Sequence, residues 1–439
     1  MTSRTPVTVA LRRSLSLRPV SAVRGTLSVP GDKSISHRYV MLGALPSGTT
    51  TITNLAPGAD VASTVACMAA LGARVEPRAS HSLSITGCGA GGFTQPGAPL
   101  DAGNSGTTLR LLSGLAAGRP IQTTLTGDES LSRRPMQRII DPLRAMGARI
   151  TSADGRAPLV IDGGGLEAID WQVLVASAQV KSAILLAGLH AHGTTVVREP
   201  LLTRDHTERA FPAFGLRLRT EGTISAVDGG QTAIAPDFAL TVPGDPSSAA
   251  VWAAAAAAIQ RSSVRIEGVC LNPQRLGFLR ALERMGARIN IEITGHAAGE
   301  PVGDLEIVHS DHLPTVIGAD EIPSLIDELP VLAARAAIGG ALEVSGAGEL
   351  RVKESDRITA LVTGLRAMGV PADERPDGFV VDGRVRPTGG QVDAAGDHRL
   401  VMAFALVALG ASGPSVITGA EAVGVSYPSF EQDLARLAQ

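Results

Sequence analysis

Lysine is almost missing from this chain of 439 residues. Of its 39 basic residues only Lys33, Lys181 and Lys353 are lysines, and the other 36 are arginines. Where a plain surface cation suffices the chain uses Arg, so a retained Lys points to a need for a compact, mobile or titratable ammonium. Aromatic residues make up 3%, too few to supply the stacking platforms used on single-stranded nucleic acid. No sign of charge dominates: the net charge is -3, which argues against a basic face that displaces counterions from nucleic acid. The three cysteines, Cys67, Cys88 and Cys270, have no CxxC spacing. A disulfide framework and a thiolate zinc site are thereby excluded, and a reducing cytoplasm is the expected location. The longest apolar runs, 251–259 and 400–410, are too short to cross a bilayer.

Chemical motifs are missing as well. The nine histidines include two close pairs, His190/His192 and His309/His312, but no third ligand is implied. No metal and no cofactor is expected. There is no GxxxxGK[ST] loop, and without a metal set this argues against phosphoryl transfer from a nucleotide. No GxSxG and no Cys–His pairing marks a covalent nucleophile.

What is present is repetition. A helix end, a glycine and a short strand recur as MAALGARV (68–75), LRAMGARI (143–150), PAFGLRL (212–218), LERMGARI (282–289) and LRAMGVPA (365–372), with a sixth copy cut short in LARLAQ (434–439). The glycine supplies the left-handed residue that closes a helix. Upstream of most copies lies a helix-start loop: Arg134-Pro135, Asn272-Pro273 and Tyr427-Pro428 suggest proline starts, and Asp205-x-x-Glu208 a capping box. Before it, a small-residue helix opens from GDKSISHR, GNSGTTLR, SAQVKS, PGDPSS, IDELP or GDHR. Each unit of about 70 residues thus reads helix, strand, helix, strand, strand, in an α/β protein.

Six units are too large for one core and divide into three plus three. The likeness of VPGDKS (29–34) to VPGDPSS (242–248) sets the boundary. It predicts a discontinuous first domain of 1–29 with 246–439 around an inserted domain of 30–245. The N-terminal strand (25–30) then completes a unit whose helices lie at the C-terminus. Residues 1–31 hold five arginines and no acid, a faint likeness to a transit peptide, but they lack a signal-peptide core and are expected to be a short disordered tail running into that strand. The Ala-rich helices carry no charged face and should be buried, with their N-termini aimed into the gap between domains, a positive field for anions.

The candidate residues sit at those helix starts. Lys33, Ser34 and Arg38 form a cradle for phosphate or carboxylate, or else an ordinary capped helix. Asn104, Gly106 and Arg110 open the next helix, where Gly106 allows close approach of a ligand. Arg134 presents a planar fork. Ser177, Ala178 and Gln179 offer neutral hydrogen bonds, and Arg204 lies in TRDHTER. Lys353, Glu354 and Arg357 bring two cations and an acid together. Asp327 is an N-cap or a general base held near cations, and Arg399 opens the last small-residue helix. Eight cations against Asp327 and Glu354 leave an excess of six, which suits two strongly anionic small molecules bound together.

At these loops the chain resembles the enolpyruvyl transferases, in particular the branch acting on shikimate 3-phosphate. The resemblance runs from about residue 25 to the C-terminus, through VPGDKSISHR, DAGNSGTTLR, GDESLSRRPM, SAQVKSAILLAGL, TRDHTE, LIDELPVLA, RVKESDR, GDHR and SYPSF. It implies two inside-out α/β domains, each built of three helix-strand-helix-strand-strand repeats, with the active site between them. It further implies transfer of the enolpyruvyl group of phosphoenolpyruvate to the 5-hydroxyl of shikimate 3-phosphate in aromatic amino acid biosynthesis, by a monomeric enzyme with no nucleic-acid or membrane partner. By match to the family motifs, shikimate 3-phosphate would be held by Lys33, Ser34, Arg38, Ser177, Ala178 (through its backbone), Gln179, Arg204, Asp327 and Lys353. Phosphoenolpyruvate would be held by Lys33, Asn104, Gly106, Arg134, Gln179, Arg357 and Arg399. Asp327 is expected as base, Glu354 as the acid that protonates carbon, and Lys33 as a partner in proton transfer. Gly106 should leave room for glyphosate, the inhibitor associated with this family. Val425 stands where many relatives carry a lysine, and Lys181 has no assigned role beyond packing near the cleft. The rival readings are transfer to a UDP-amino sugar, disfavoured because no cysteine lies in the Arg134 loop, and a non-catalytic phospholigand-binding repeat protein.

Overall fold

Five times the chain closes a helix with a glycine at positive φ. Gly72, Gly147, Gly215, Gly286 and Gly369 have φ of 105, 108, 68, 95 and 80°, a region that a Cβ disfavours. The computed structural model describes residues 13–439, and each of these glycines turns the chain from an outer helix into a strand of an outer sheet.

The sequence pattern of five elements per unit omits a sixth. After its two longer strands each unit adds a short one, which pairs in parallel with the first strand of the next unit: Leu100–Asp101 on Gln122–Thr126, Asp170–Gln172 on Thr194–Arg198, Thr315–Ile317 on Ala341–Val344, and Gly390–Asp393 on Ser415–Thr418. Leu240–Thr241 returns from the third unit to Thr49–Thr53 of the first. Arg24–Ser28 joins Ser263–Cys270 of the fourth. Two rings of three units are closed in this way. The repetition extends to burial: Thr49–Thr53, Gln122–Thr126 and Thr194–Arg198 share one alternation, with Thr50/Ile52, Thr123/Leu125 and Thr195/Val197 turned inward, as a half-buried strand requires.

The expected disordered tail is corrected in part. Residues 1–12 lie outside the described residues, but Ser14–Leu17 form a strand antiparallel to Ser415–Thr418, with Leu15 and Leu17 packed on the core. The period-2 pattern SLSL was there to read among the arginines. Three local expectations also fail. Pro428 opens no helix, since it precedes Ser429, after which the helix Phe430–Leu437 begins. Pro135 does not open a helix, because Arg134 ends the short helix Glu129–Arg133 and the next begins at Gln137. Asp205 caps nothing; its carboxylate is taken by Arg209 and Asn272.

Helices occupy the inside. Pro246–Ala258 and His398–Gly410 are buried along their whole length, as their uncharged faces demand. Helices Gly106–Ala117 and Ala178–Gly188 pack so closely that a Cβ on Gly114 would lie 2.1 Å from the Ala183 carbonyl oxygen. Apolar side chains gather into two cores. One is built from residues 249–437 with Val23, Leu27 and Val29, the other from residues 35–242 with Cys270. The chain passes between them twice, and the crossings pair through an antiparallel bridge of Gly31 and Gly244. Buried Arg275 clamps both, donating to Asp32 at 2.7 Å and Asp245 at 3.0 Å.

Candidate active site

Capping chemistry places the polar side chains at one end of the inner helices. Asp32 accepts from the Ile35 N–H (2.8 Å), Ser105 from Thr108 (3.1 Å), Ser177 from Val180 (3.4 Å) and Asp397 from Arg399 (2.9 Å). Lys33, Gly106, Ala178 and Arg399 therefore fall in the first turns of their helices, where unpaired N–H groups favour anions.

The centre of the arrangement is Asp327, in the link between helices Ile322–Leu325 and Leu329–Ala337. Its carboxylate lies 2.7 Å from Arg204, 3.4 Å from Arg357, 3.6 Å from Arg399 and 3.9 Å from Lys353. Arg399 also donates to its carbonyl at 2.9 Å. Burial alone would raise its pKa, but the surrounding cations, Arg399 and Arg204 foremost, hold it well below the usual carboxylate range. Glu354 is in the same condition: Arg357 donates to it and Arg134 stands 4.0 Å away. The cations outweigh burial and keep it ionised.

Around this centre each expected residue has a definite place. Lys33 Nζ sits 3.0 Å from Asp60; burial opposes its charge, but Asp60 and Glu354 raise its pKa. Arg134 donates to Asn104 Oδ1 at 2.6 Å. Gly106 faces two guanidiniums, since a Cβ there would lie 2.9 Å from Arg110 Nη1 and 3.5 Å from Arg134 Nη1. Arg110 in turn donates to Gln179 at 2.6 Å. Arg38 is spent on protein groups, donating to Thr207 (2.7 Å), Ser182 (2.8 Å) and the carbonyl of Ser34 (2.9 Å). Lys353 is the most open of the cations on Asp327, and burial, with Arg357 adding, lowers its pKa.

A cavity of about 450 Å³ opens here, lined by Arg134, Ser177, Ala178, Gln179, Arg204, Asp327 and Lys353 among others. Lys33, Ser34, Arg38, Asn104, Gly106, Glu354, Arg357 and Arg399 do not line it. The structure is closed, with the two cores bridged by Arg204–Asp327, by Arg138–Glu349 (2.6 Å) and by Arg134 near Glu354.

Comparison with known proteins then decides the family. The profile of EPSP synthase (3-phosphoshikimate 1-carboxyvinyltransferase) matches residues 17–434. A 3-phosphoshikimate 1-carboxyvinyltransferase of Lactiplantibacillus plantarum is 46% identical over 97% of this chain and 99% of its own. One of Acidithiobacillus ferrooxidans is 48% identical over 94% and 95%. The chain belongs to the EPSP synthase family. The solved EPSP synthase of Acinetobacter baumannii superposes with a TM-score of 0.86 at 40% identity, covering 97% of this chain and 98% of that one. The enolpyruvyl transferase NikO of Streptomyces tendae shares the fold, with a TM-score of 0.79 at 19% identity over 97% of both chains.

Within this member of the EPSP synthase family, sequence reasoning missed several groups. Asp60, in the first turn of helix Ala59–Ala70, pairs with Lys33, and Asp397 takes the Arg357 Nε at 2.7 Å. These two carboxylates reduce the excess of cations from six to four. His398 is buried with Nε2 unpartnered. Burial, with Lys33 and Arg399 adding, lowers its pKa to about 4. The only advance signal for Asp397 and His398 was their place beside Arg399 in GDHR. Val425 brings its carbonyl against Gly58, where a Cβ would come within 1.9 Å, so at this point the two halves meet through backbone.

Proposed function

We propose that this cleft transfers the enolpyruvyl group of phosphoenolpyruvate to the 5-hydroxyl of shikimate 3-phosphate, releasing phosphate, by addition and elimination through a tetrahedral intermediate. The observation that carries the reading is the convergence of four cations from both cores on one ionised Asp327. Family membership, over residues 17–434, supports it.

Shikimate 3-phosphate occupies the cavity. Ser177, the backbone of Ala178, Gln179, Arg204 and Lys353 hold it, while Lys33, Ser34 and Arg38, behind the lining, support it from the neighbouring helix. Phosphoenolpyruvate lies against Gly106, gripped by Arg134, Arg357, Arg399, Lys33, Asn104 and Gln179. Each substrate carries a phosphate of about −1.5 to −2. When these anions take over the guanidiniums, Asp327 and Glu354 lose their cations and become better bases.

In the addition the 5-hydroxyl oxygen bonds to C2 of phosphoenolpyruvate, its proton goes to Asp327, and C3 gains a proton from Glu354. Lys33 shares this transfer. Glu354 is ionised beside Arg357, so its donor role requires the proton it acquires once substrate screens that guanidinium. The intermediate carries carboxylate and phosphate on one carbon, and fixed cations stabilise it. In the elimination C3 returns its proton to Glu354, the double bond re-forms, and the C2–O bond breaks with its electron pair leaving on phosphate, which also takes up the proton held by Asp327.

Closure follows from the domains 1–29 with 246–439 and 30–245 moving about the paired crossings at Gly31 and Gly244, which excludes water. The enzyme works as a monomer in the cytoplasm, where its three free thiols stay reduced. Among the described residues no helix is long and apolar enough to cross a membrane.

Saturating turnover with both substrates, read as released phosphate, tests the function. Phosphate release only with a UDP-amino sugar as acceptor would overturn it, as would tight binding of both ligands without turnover.

A further inference from the structure

Of the chain's three lysines, Lys353 lines the cavity and Lys33, paired with Asp60, lies in electrostatic reach of Glu354 and Arg399; Lys181 does neither. Lys181 is 2% exposed, and its Nζ lies 2.7 Å from Glu199 Oε2 and 2.7 Å from Glu208 Oε1. Those two glutamates bracket the segment 199–208, which carries Arg204 near its middle. The segment is fastened to the same helix at both ends. At its start Glu199 is held by the ammonium of Lys181, and midway along the segment Thr203 donates its hydroxyl proton to that same carboxylate. At its end Thr207 shares a hydrogen bond of 2.7 Å with Ser182, the neighbour of Lys181. The helix that makes these ties, Ala178–Gly188, is the one whose first turn presents Ala178 and Gln179 to the cavity.

We propose that Lys181 is a positioning residue, whose ammonium fixes the segment 199–208 against the helix Ala178–Gly188 and so sets the reach of Arg204 toward shikimate 3-phosphate and Asp327. This rests on the functional reading above and deepens it.

The charge balance explains why the group is retained. Two carboxylates on one ammonium leave a buried excess of −1, and Arg38, in the electrostatic reach of Glu208, supplies the balancing cation. Burial opposes the charge of Lys181, but Glu208 and Glu199 raise its pKa, so it stays an ammonium. Burying such charges costs more than packing apolar groups of the same size, so global stability is a poor reason to keep them, and a fixed geometry is a better one. The choice of Lys in a chain rich in Arg follows from shape. A compact ammonium meets one oxygen of each carboxylate, whereas a guanidinium would bring five donors into a space that cannot satisfy them.

The test separates the KM values of the two substrates. In Lys181→Met the KM for shikimate 3-phosphate should rise at least tenfold, while that for phosphoenolpyruvate stays within about twofold; Lys181→Arg should not rescue it. If Lys181→Met fails to fold, Thr203→Val decides, since it cuts the tie to Glu199 and leaves the charged triad whole. It should raise the same KM at least threefold with unchanged Tm, and Thr203→Ser should restore it. The inference is overturned if folded variants keep both KM values, or shift both by one common factor. A wild-type enzyme that never turns over this substrate pair would instead overturn the functional reading, so the two failures are distinct.

Discussion

The guanidinium of Arg204 lies 2.7 Å from the carboxylate of Asp327, although the two residues belong to opposite sides of the cleft. Their contact closes the cavity wall and satisfies both charges with protein groups. Asp327→Asn keeps the shape of the side chain and removes the base. Loss of a general base costs about 10²–10⁴-fold, so kcat should fall by at least about 100-fold while both substrates still bind. Titration of phosphoenolpyruvate and shikimate 3-phosphate by calorimetry, beside steady-state kinetics, checks this. A variant with wild-type kcat would remove Asp327 from the chemistry.

Gly106 bears on inhibition. A methyl group there would come 2.9 Å from Arg110 Nη1 and 3.5 Å from Arg134 Nη1. Both atoms end flexible side chains, so the fold accommodates the change while the room beside the guanidiniums shrinks. Gly106→Ala should therefore weaken glyphosate inhibition by more than it raises the KM for phosphoenolpyruvate. Equal inhibition of both proteins would show that the inhibitor does not approach Gly106.

Arg357 and Arg399 differ in how deeply they are committed. Arg357 is 1% exposed and touches Asp327, Glu354 and Asp397, whereas Arg399 binds the backbone and the carboxylate of Asp327. On the proposed function, truncating either leaves a substrate anion unpaired, a loss of about 2–5 kcal/mol in kcat/KM. Arg357→Ala also takes a cation from three protein carboxylates, so it should lose thermal stability where Arg399→Ala loses less. A fall in kcat/KM under about tenfold, roughly 1.4 kcal/mol, counts against either assignment.

Much of this was legible because the chain repeats itself. Five closing glycines fixed the period, and the loops that interrupt it carried the polar residues. The rest was hidden for physical reasons. The strand that passes from one unit to the next can be two residues long, as at Leu100–Asp101 and Leu240–Thr241, too short to show a period. Asp60 and Asp397 reach their partners across 27 and 40 residues, so no local pattern links them. Glu199 showed no pattern and Glu208 looked like the acid of a capping box, because their partner Lys181 lies 18 and 27 residues upstream on another helix.

The acid limb of stability offers a test away from substrate. His37 is fully buried, with Nδ1 2.6 Å from Thr64 Oγ1 and Nε2 without a partner. Burial, against the pull of Asp60 and with Lys33 and Arg38 adding to it, lowers its pKa from 6.5 to about 3. Above pH 6.5 the folded and unfolded chains both hold it neutral, and its contribution is complete. Below 6.5 the unfolded chain takes up a proton that the folded one refuses. Stability then falls by up to about 1.4 kcal/mol per pH unit until the folded group titrates. His398 acts in the same direction down to about 4. Asp327 and Glu354, held low in the fold, add their loss only once the pH nears the ordinary carboxylate range. His37→Gln can keep the bond to Thr64 and has no proton to gain. Between pH 6.5 and 5 it should therefore lose about 2 kcal/mol less than the wild type, measured by urea unfolding at each pH. Parallel curves for the two proteins would mean that His37 titrates alike in both states.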